Sequence, residues 1–169
     1  MTDRLMIYGA YGYSGELATR RAVEAGLKPV LAGRNAAKVN ALASDLGLEP
    51  VVFDVTNADA ARKALGPCAA VLNCAGPFIE TWQAMTAACL ATKTHYLDIT
   101  GEVEVLAGCA DLDAAARAAG ITIMPGVGFD VVPTDCLAAM LKQKLPDATT
   151  LTLAFSGAAP LAAGNGLSI

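Results

Sequence analysis

Short apolar runs alternate along the chain with segments whose apolar residues recur at helical spacing. Runs of four to six residues rich in Val, Ile, Leu, Ala and Tyr predict six strands, at residues 5–8, 27–32, 50–53, 69–72, 95–99 and 121–124. Because polar residues interrupt these runs only rarely, we expect both faces of the sheet to be covered.

The segments between the runs predict helices that cover the sheet. The first is expected over residues 16–25, the third over residues 58–65, and the fifth ends at Gly120. Their inward positions lie three or four residues apart and are Leu17, Ala18, Ala22 and Ala25; Val39, Leu42, Ala43 and Leu46; Ala61, Ala64 and Leu65; Trp82, Met85, Thr86 and Cys89; Val105, Cys109, Leu112, Ala116 and Ala119; and Leu137, Met140, Leu141 and Leu145. Strands that alternate with helices imply right-handed crossovers. The prediction is therefore an α/β fold, a Rossmann doubly wound parallel sheet with strand order 3-2-1-4-5-6.

The pattern changes after Asp147. Residues 150–156 alternate, with Leu151, Leu153 and Phe155 on one side, which predicts a strand with a single buried face. We therefore expect residues 1–148 to form the Rossmann domain and residues 149–169 to begin a second domain that is cut short. Edge pairing of such a strand between two copies would make the protein a homodimer.

Composition and charge narrow the function further. The chain has 169 residues, about one domain, and no apolar run reaches the ~18 residues of a membrane span. Its formal net charge is −4 without a basic run, which argues against nucleic acids and anionic membranes as partners. The five cysteines form no C-x-x-C pair and there is one histidine. We therefore expect reduced core thiols, a cytoplasmic location and no metal site.

The first predicted strand leads into the glycine-rich turn Gly9-Ala10-Tyr11-Gly12-Tyr13-Ser14-Gly15 and then into the first helix. This context is typical of dinucleotide-binding sites. Gly9 would permit the tight turn, Gly12 the approach of the pyrophosphate and Gly15 the close packing of helix on strand. The free N–H groups of the helix N-terminus would face the phosphates. The spacing is G-x-x-G-x-x-G rather than G-x-G-x-x-G, and the simplest alternative is a glycine-rich turn without a ligand.

Arg34 follows the second strand, where an NAD-specific protein would carry an acidic residue for the ribose 2′-hydroxyl. A guanidinium there suits a 2′-phosphate through charge-assisted hydrogen bonds, so the sequence favours NADP over NAD. The alternative is a solvated arginine that helps to cap the next helix. After the third strand, Asp54 is expected either to bond the adenine amino group or to close its own turn.

The loops after the later strands hold the remaining candidates. Cys74 lies among small residues that would line the dinucleotide, and it has no adjacent histidine or cation, so we interpret it as a packed thiol. Asp98 lies in an apolar strand, so its carboxylate must be paired or face a cleft. Asp130 follows a glycine pair near the expected nicotinamide, with helix capping as its alternative. His95 begins its strand at the opposite edge, so we interpret it as structural.

Five loop segments form a recognisable set: Gly9 to Gly15, Ala32-Gly33-Arg34-Asn35, Asn73-Cys74-Ala75-Gly76-Pro77-Phe78, Tyr96-Leu97-Asp98-Ile99-Thr100-Gly101-Glu102, and Pro125-Gly126-Val127-Gly128-Phe129-Asp130-Val131-Val132-Pro133-Thr134-Asp135. Together they resemble the saccharopine dehydrogenase-like oxidoreductases, in particular the branch that includes the trans-acting enoyl reductases. The resemblance extends over nearly the whole chain, and the last two segments are its specific parts. It implies an N-terminal NAD(P)-binding Rossmann domain, followed by a larger α+β domain that shapes the substrate site and often mediates dimerisation.

The resemblance also assigns roles to residues. It implies that residues 9–15 hold the pyrophosphate, Arg34 and Asn35 the 2′-phosphate, residues 74–77 the dinucleotide, and residues 98–101 and 126–130 the nicotinamide half. With Asp54 added, the predicted cofactor-binding residues are Gly9, Ala10, Tyr11, Gly12, Tyr13, Ser14, Gly15, Arg34, Asn35, Asp54, Cys74, Ala75, Gly76, Pro77, Asp98, Gly101, Gly126 and Asp130. Catalytic residues are expected in the second domain, so none is assigned and the fragment alone is expected to be inactive.

We therefore predict the NADP-binding domain of a saccharopine dehydrogenase-like oxidoreductase that transfers hydride between NADP(H) and a small-molecule or acyl substrate. The alternative is a non-catalytic NADP-binding sensor or scaffold, because Rossmann folds also host binding proteins. A Rossmann-like domain with an empty cleft is the least specific interpretation. Short-chain dehydrogenases and sugar epimerases share the glycine spacing, but their chemistry needs a tyrosine four residues before a lysine, and none of the four tyrosines here has one.

Overall fold

The strands form one parallel sheet. A computed structural model describes residues 4–129 and 131–153 of the chain. Its strands are β1 (Leu5–Tyr8), β2 (Val30–Gly33), β3 (Pro50–Val52), β4 (Ala70–Asn73), β5 (His95–Asp98) and β6 (Ile123–Met124). They pair in the order β3-β2-β1-β4-β5-β6, and every neighbouring pair is parallel. The predicted strand order is confirmed.

Helices connect the strands throughout. They are α1 (Tyr13–Glu24), α2 (Ala36–Leu46), α3 (Ala58–Leu65), α4 (Phe78–Thr92), α5 (Val103–Asp111), α6 (Asp113–Ala119) and α7 (Val132–Lys144). The alternation confirms the doubly wound Rossmann fold. The prediction of one helix before Gly120 is wrong, because the chain leaves helical geometry at Leu112 and forms two helices there. None of these helices is long and apolar enough to cross a membrane.

The first helix begins earlier than its apolar pattern predicts. It starts at Tyr13, and its buried residues are Gly15 and Thr19, whereas Leu17 is 54% exposed, so the predicted inward position of Leu17 is wrong. The face is set by Gly15, which packs against the carbonyl of Gly9. Thr19 lies one turn further along, and its hydroxyl donates to the Gly15 carbonyl at 2.8 Å, which satisfies a buried polar group.

Apolar residues fill both faces of the sheet. Along β1, Met6 and Tyr8 belong to one core cluster and Ile7 to the other, as alternate residues of a strand must. The predicted stripes of α2 and α4 are buried and contain Val39, Leu42 and Ala43, and Trp82, Met85, Thr86 and Cys89. The expectation that helices cover the sheet on both sides is therefore confirmed.

The last helix differs from its prediction. No residue of α7 is buried, and Leu137 and Met140 are 54% and 58% exposed. Its predicted inward face is exposed because no described element packs closely against it. Residues 150–153 contain no strand, and the rest of the strand predicted over residues 150–156 lies outside the described residues. The domain boundary at residue 148 and the homodimer stay predictions.

Candidate functional site

A cleft of about 360 Å³ opens where β1 to β4 end. Nine predicted cofactor-binding residues line it: Gly9, Tyr11, Gly12, Arg34, Asp54, Cys74, Ala75, Gly76 and Pro77. The cleft lies where the strand order reverses, between β1 and β4. This is the position at which open parallel sheets bind their ligands.

The glycine-rich turn is packed too closely for side chains at two of its glycines. Gly9 has φ +77°, and a Cβ atom there would lie 2.8 Å from the Ala75 nitrogen. A Cβ atom at Gly15 would lie 2.2 Å from the Gly9 carbonyl oxygen. These contacts agree with the roles expected for a turn glycine and a packing glycine.

The N-terminus of α1 has no side-chain cap, which distinguishes it from the next three helices. Gly12 is its N-cap residue and offers no side chain. The side chains of Asn35 and Asn57 cap α2 and α3, and Glu102 caps α4 from another loop. The first N–H groups of α1 therefore have no side-chain acceptor, and a phosphate fits this helix terminus by hydrogen bonding and charge.

Arg34 is the one arginine that forms no ion pair, and all six arginines of the chain lie within the described residues. The five that pair with carboxylates are Arg4, Arg20, Arg21, Arg62 and Arg117. Arg34 is exposed at the rim of the cleft. Its guanidinium is therefore available to bind an anionic group such as a 2′-phosphate.

Lys38 adds a second cation on this side of the cleft, which the sequence analysis did not single out. Its Nζ lies 5.6 Å from the centroid of the Tyr11 ring. That ring packs on Gly33, where a Cβ atom would lie 2.6 Å from a ring carbon. The sequence signal that could have identified Lys38 is its position in the first turn of α2, four residues after Arg34.

Asp54 and Asn35 both bond their own turns. Asp54 Oδ1 accepts from the Thr56 N–H at 2.9 Å and from the Thr56 hydroxyl at 2.8 Å. The backbone bond, followed by the hydroxyl bond, lowers the pKa of the Asp54 carboxyl. Asn35 Oδ1 accepts from the Lys38 N–H at 3.1 Å. Turn closure thus accounts for Asp54 and capping for Asn35, and their contacts with the cofactor stay predictions.

The loop after β4 is fixed by a buried amide, which the sequence analysis left without a role. Asn73 Oδ1 accepts from the Ala75 N–H at 3.1 Å, and Asn73 Nδ2 donates to the Thr81 hydroxyl at 3.1 Å. That hydroxyl donates to the Ala75 carbonyl at 2.9 Å. These bonds hold the loop that carries residues 74–77 along one wall of the cleft.

Cys74 is a packed thiol, in agreement with the prediction. Burial, and then the charge of Asp98, raise the pKa of Cys74 to about 12. Burial raises the pKa values of Cys89 and Cys109 to about 12 as well. All five cysteines are free thiols, but Cys136 is exposed, so the prediction of a core position is wrong for that residue.

We expect iodoacetamide to alkylate Cys136 at pH 8 and to leave Cys74, Cys89 and Cys109 largely unmodified, because alkylation requires the thiolate. Peptide mapping by mass spectrometry measures the labelling.

The same pKa shift makes stability depend on pH. The folded-state pKa of these thiols is about 12, above the ordinary value of 9, so their contribution to the free energy of unfolding is fully present below about pH 9. This contribution is lost as pH rises from about 9 towards 12.

Labelling in guanidinium chloride is the control, since all five thiols should react once the chain is unfolded. Rapid alkylation of Cys74 in the folded chain at pH 8 would contradict the packed-thiol interpretation.

The other predicted site residues do not line the cleft. They are Ala10, Tyr13, Ser14, Gly15, Asn35, Asp98, Gly101 and Gly126. Ala10 and Gly15 are buried within the turn, and Tyr13 begins α1. Asp98 is fully buried, and its carboxylate accepts three hydrogen bonds from protein groups. Asp130 lies outside the described residues.

His95 lies at the amino end of β5, at the edge of the sheet opposite the cleft. Its Nδ1 accepts from the Thr122 N–H at 2.9 Å. This bond ties β5 to the segment before β6, which agrees with a structural role.

Comparison with known proteins extends this description. Residues 5–124 match the family described as the saccharopine dehydrogenase NADP binding domain. A trans-acting enoyl reductase of Mycobacterium leprae is 32% identical over 139 residues, which covers 78% of this chain and 33% of that protein. A putative trans-acting enoyl reductase of Mycobacterium tuberculosis is 33% identical with the same coverage. The chain thus spans about a third of the length of the curated relatives it matches.

A solved structure has the same fold. It is apo saccharopine dehydrogenase (L-Glu forming) from Saccharomyces cerevisiae, with a TM-score of 0.74, 21% identity, and coverage of 85% of this chain and 31% of that one. The glycine turn, the uncapped α1 and the unpaired Arg34 fit the ligand that the family description prints. The chain therefore belongs to the saccharopine dehydrogenase NADP-binding domain family, and its cofactor is NADP.

Proposed function

We propose that this chain is the cofactor domain of an oxidoreductase that transfers hydride between NADP(H) and an acyl or other small-molecule substrate. One observation carries the proposal: the uncapped N-terminus of α1 and the unpaired Arg34 belong to the same cleft. A helix N-terminus suits the pyrophosphate, which NAD and NADP both contain. An unpaired guanidinium suits the 2′-phosphate, which only NADP contains. The names of the mycobacterial relatives favour an acyl substrate.

The residues of this chain would bind and orient the cofactor. NADPH supplies the hydride when bound. The first turn of α1 would hold the pyrophosphate, Arg34 the 2′-phosphate, and the loop of residues 74–77 one side of the dinucleotide. Cys74 would pack as a neutral thiol and take no part in proton transfer, because burial keeps its pKa near 12.

The test is hydride transfer by a longer protein that contains this domain and the remainder found in its relatives. We expect the absorbance of reduced nicotinamide to fall when NADPH is mixed with this protein and an α,β-unsaturated acyl thioester. A saturated acyl thioester of equal length is the matched control, because it has no double bond to accept hydride.

Two results would contradict the proposal. Tight NADPH binding without turnover of unsaturated thioesters, oxo acids or imines would favour the sensor or scaffold alternative. Absence of NADPH binding by the folded chain would contradict the assignment of the cleft itself.

A further inference from the structure

Asp98 joins the end of β5 to the loop after β6. Its Oδ1 accepts from the Thr100 N–H at 3.0 Å and from the Gly126 N–H at 2.9 Å. Its Oδ2 accepts from the Tyr96 hydroxyl at 2.6 Å, and its backbone carbonyl accepts from the Val127 N–H at 2.8 Å. Both carboxylate oxygens and the carbonyl of this buried residue are therefore engaged inside the protein.

The position of Gly126, whose N–H donates to Asp98, favours glycine. It is buried with φ +71°, and a Cβ atom there would lie 3.2 Å from a methyl carbon of Leu106 and 3.4 Å from the Thr100 carbonyl. A side chain would thus be strained and crowded, and the donating N–H would be displaced from Asp98. The loop after β6 is held at its first residues.

Glu102 joins the loop after β5 to the beginning of α4. Its Oε1 accepts from the Phe78 N–H and its Oε2 from the Ile79 N–H, each at 2.8 Å. The N-cap residue of α4 is Pro77, which has no side-chain acceptor, so Glu102 supplies the cap from 24 positions along the chain. Its own N–H donates to the Thr100 hydroxyl at 3.0 Å.

Neither carboxylate forms an ion pair with a cation in the described residues. Their charges are instead balanced by backbone N–H groups and one hydroxyl, and such bonds to an ionised acceptor are shorter and stronger than neutral ones. Asp98, Thr100 and Glu102, here called the three-loop brace, thus connect the segments that follow β4, β5 and β6. A brace of this kind limits the relative movement of the three loops.

We propose that Asp98 and Glu102 are positioning residues, which act through the three-loop brace to hold the nicotinamide side of the cleft in its binding geometry. The proposal rests on the proposed function, because it assumes that the dinucleotide extends from the Arg34 side across the ends of β4 to β6. Their role is indirect: the oxygens of both carboxylates bind protein groups, and neither residue lines the cleft.

The experiment compares two ligands of the full chain by calorimetric titration. NADPH spans the whole dinucleotide site, whereas 2′,5′-ADP carries only the adenine half and its phosphates. We expect Glu102→Ala to weaken NADPH binding about 5- to 10-fold, because without the cap only a fraction of the molecules would hold the start of α4 in the binding geometry. Binding of 2′,5′-ADP should stay within about twofold. Hydrogen exchange of the Phe78 and Ile79 amides should quicken in this variant. Glu102→Gln, which keeps an amide oxygen as acceptor, should restore part of the NADPH affinity.

Glu104→Ala is the matched control, because it removes the same charge from an exposed glutamate in the first turn of α5. Asp98→Ala should act like Glu102→Ala, and Asp98→Asn should bind NADPH nearly as well as the wild type. If circular dichroism shows that Asp98→Ala is unfolded, the Glu102 variants alone test the proposal. Unchanged NADPH binding in Glu102→Ala, or equal weakening of NADPH and 2′,5′-ADP binding, would contradict the positioning role of the three-loop brace. A wild-type chain that binds neither ligand overturns the proposed function instead.

Discussion

Arg34→Ala is expected to weaken NADPH binding by about 10- to 100-fold, because a hydrogen bond to a charged group contributes roughly 1.5–3 kcal/mol. Arg34 forms no ion pair with any residue that the structure describes, so its replacement leaves none of those carboxylates without a partner. NADH binding should change by less than about twofold, since NADH lacks the 2′-phosphate. Calorimetric titration of both nucleotides measures the change in selectivity.

Lys28→Ala is the matched control for Arg34→Ala. Lys28 is exposed just before β2, whereas Arg34 follows the same strand at its other end. Both substitutions remove one positive charge, so only the position of that charge differs. Equal weakening of NADPH binding in the two variants would indicate a general electrostatic effect and would contradict a 2′-phosphate contact at Arg34.

Gly15→Ala is expected to lower the free energy of unfolding by about 3 kcal/mol, at the upper end for overpacking, because the new methyl group would lie 2.2 Å from a backbone oxygen. For a chain of this size the thermal midpoint should fall by roughly 6–12 °C. Displacement of the Gly9 carbonyl would also open the turn, so NADPH binding should weaken. Denaturant titration and calorimetry measure the two effects.

Gly26→Ala separates backbone strain from steric contact. Gly26 has φ +81°, but nothing lies within 4 Å of the Cβ position there. We expect it to cost about 1–2 kcal/mol, the penalty of the left-handed conformation for a residue with a Cβ. A cost for Gly15→Ala that is no greater than this would contradict the close contact between α1 and the turn.

The sheet was predictable because each of its strands is marked by a pattern of neighbouring residues in the sequence. Each strand is a short apolar run, and rules of connection then fix the strand order without any knowledge of long-range contacts. Errors arose where a specific packing contact, rather than the apolar pattern, decides which face of a helix is buried. Leu17 has the composition of a buried position, yet Gly15 sets the buried face of α1 by its contact with Gly9.

The cleft was predictable for the same reason, since glycines, Arg34 and residues 74–77 follow strands whose ends meet at one edge. The connections that shape it were not predictable. Glu102 caps a helix that begins 24 residues earlier, and the only local hint is that Pro77 cannot cap it. The partners of Asp98 were not predictable either, because an acidic residue in an apolar strand indicates that its carboxylate needs hydrogen-bond partners but does not identify them.

Binding of the cofactor's pyrophosphate at the uncapped first turn of α1, as proposed, would make the stability of the folded chain depend on the NADP concentration. A ligand that binds only the folded chain adds RT ln(1 + [L]/Kd) to its stability, about 2.7 kcal/mol when the ligand is at a hundredfold excess over Kd. Resistance to heat and to proteolysis would therefore rise and fall with the surrounding pool of NADP. Chain that loses its nucleotide during purification would therefore be less stable, and added NADP would raise the free energy of unfolding.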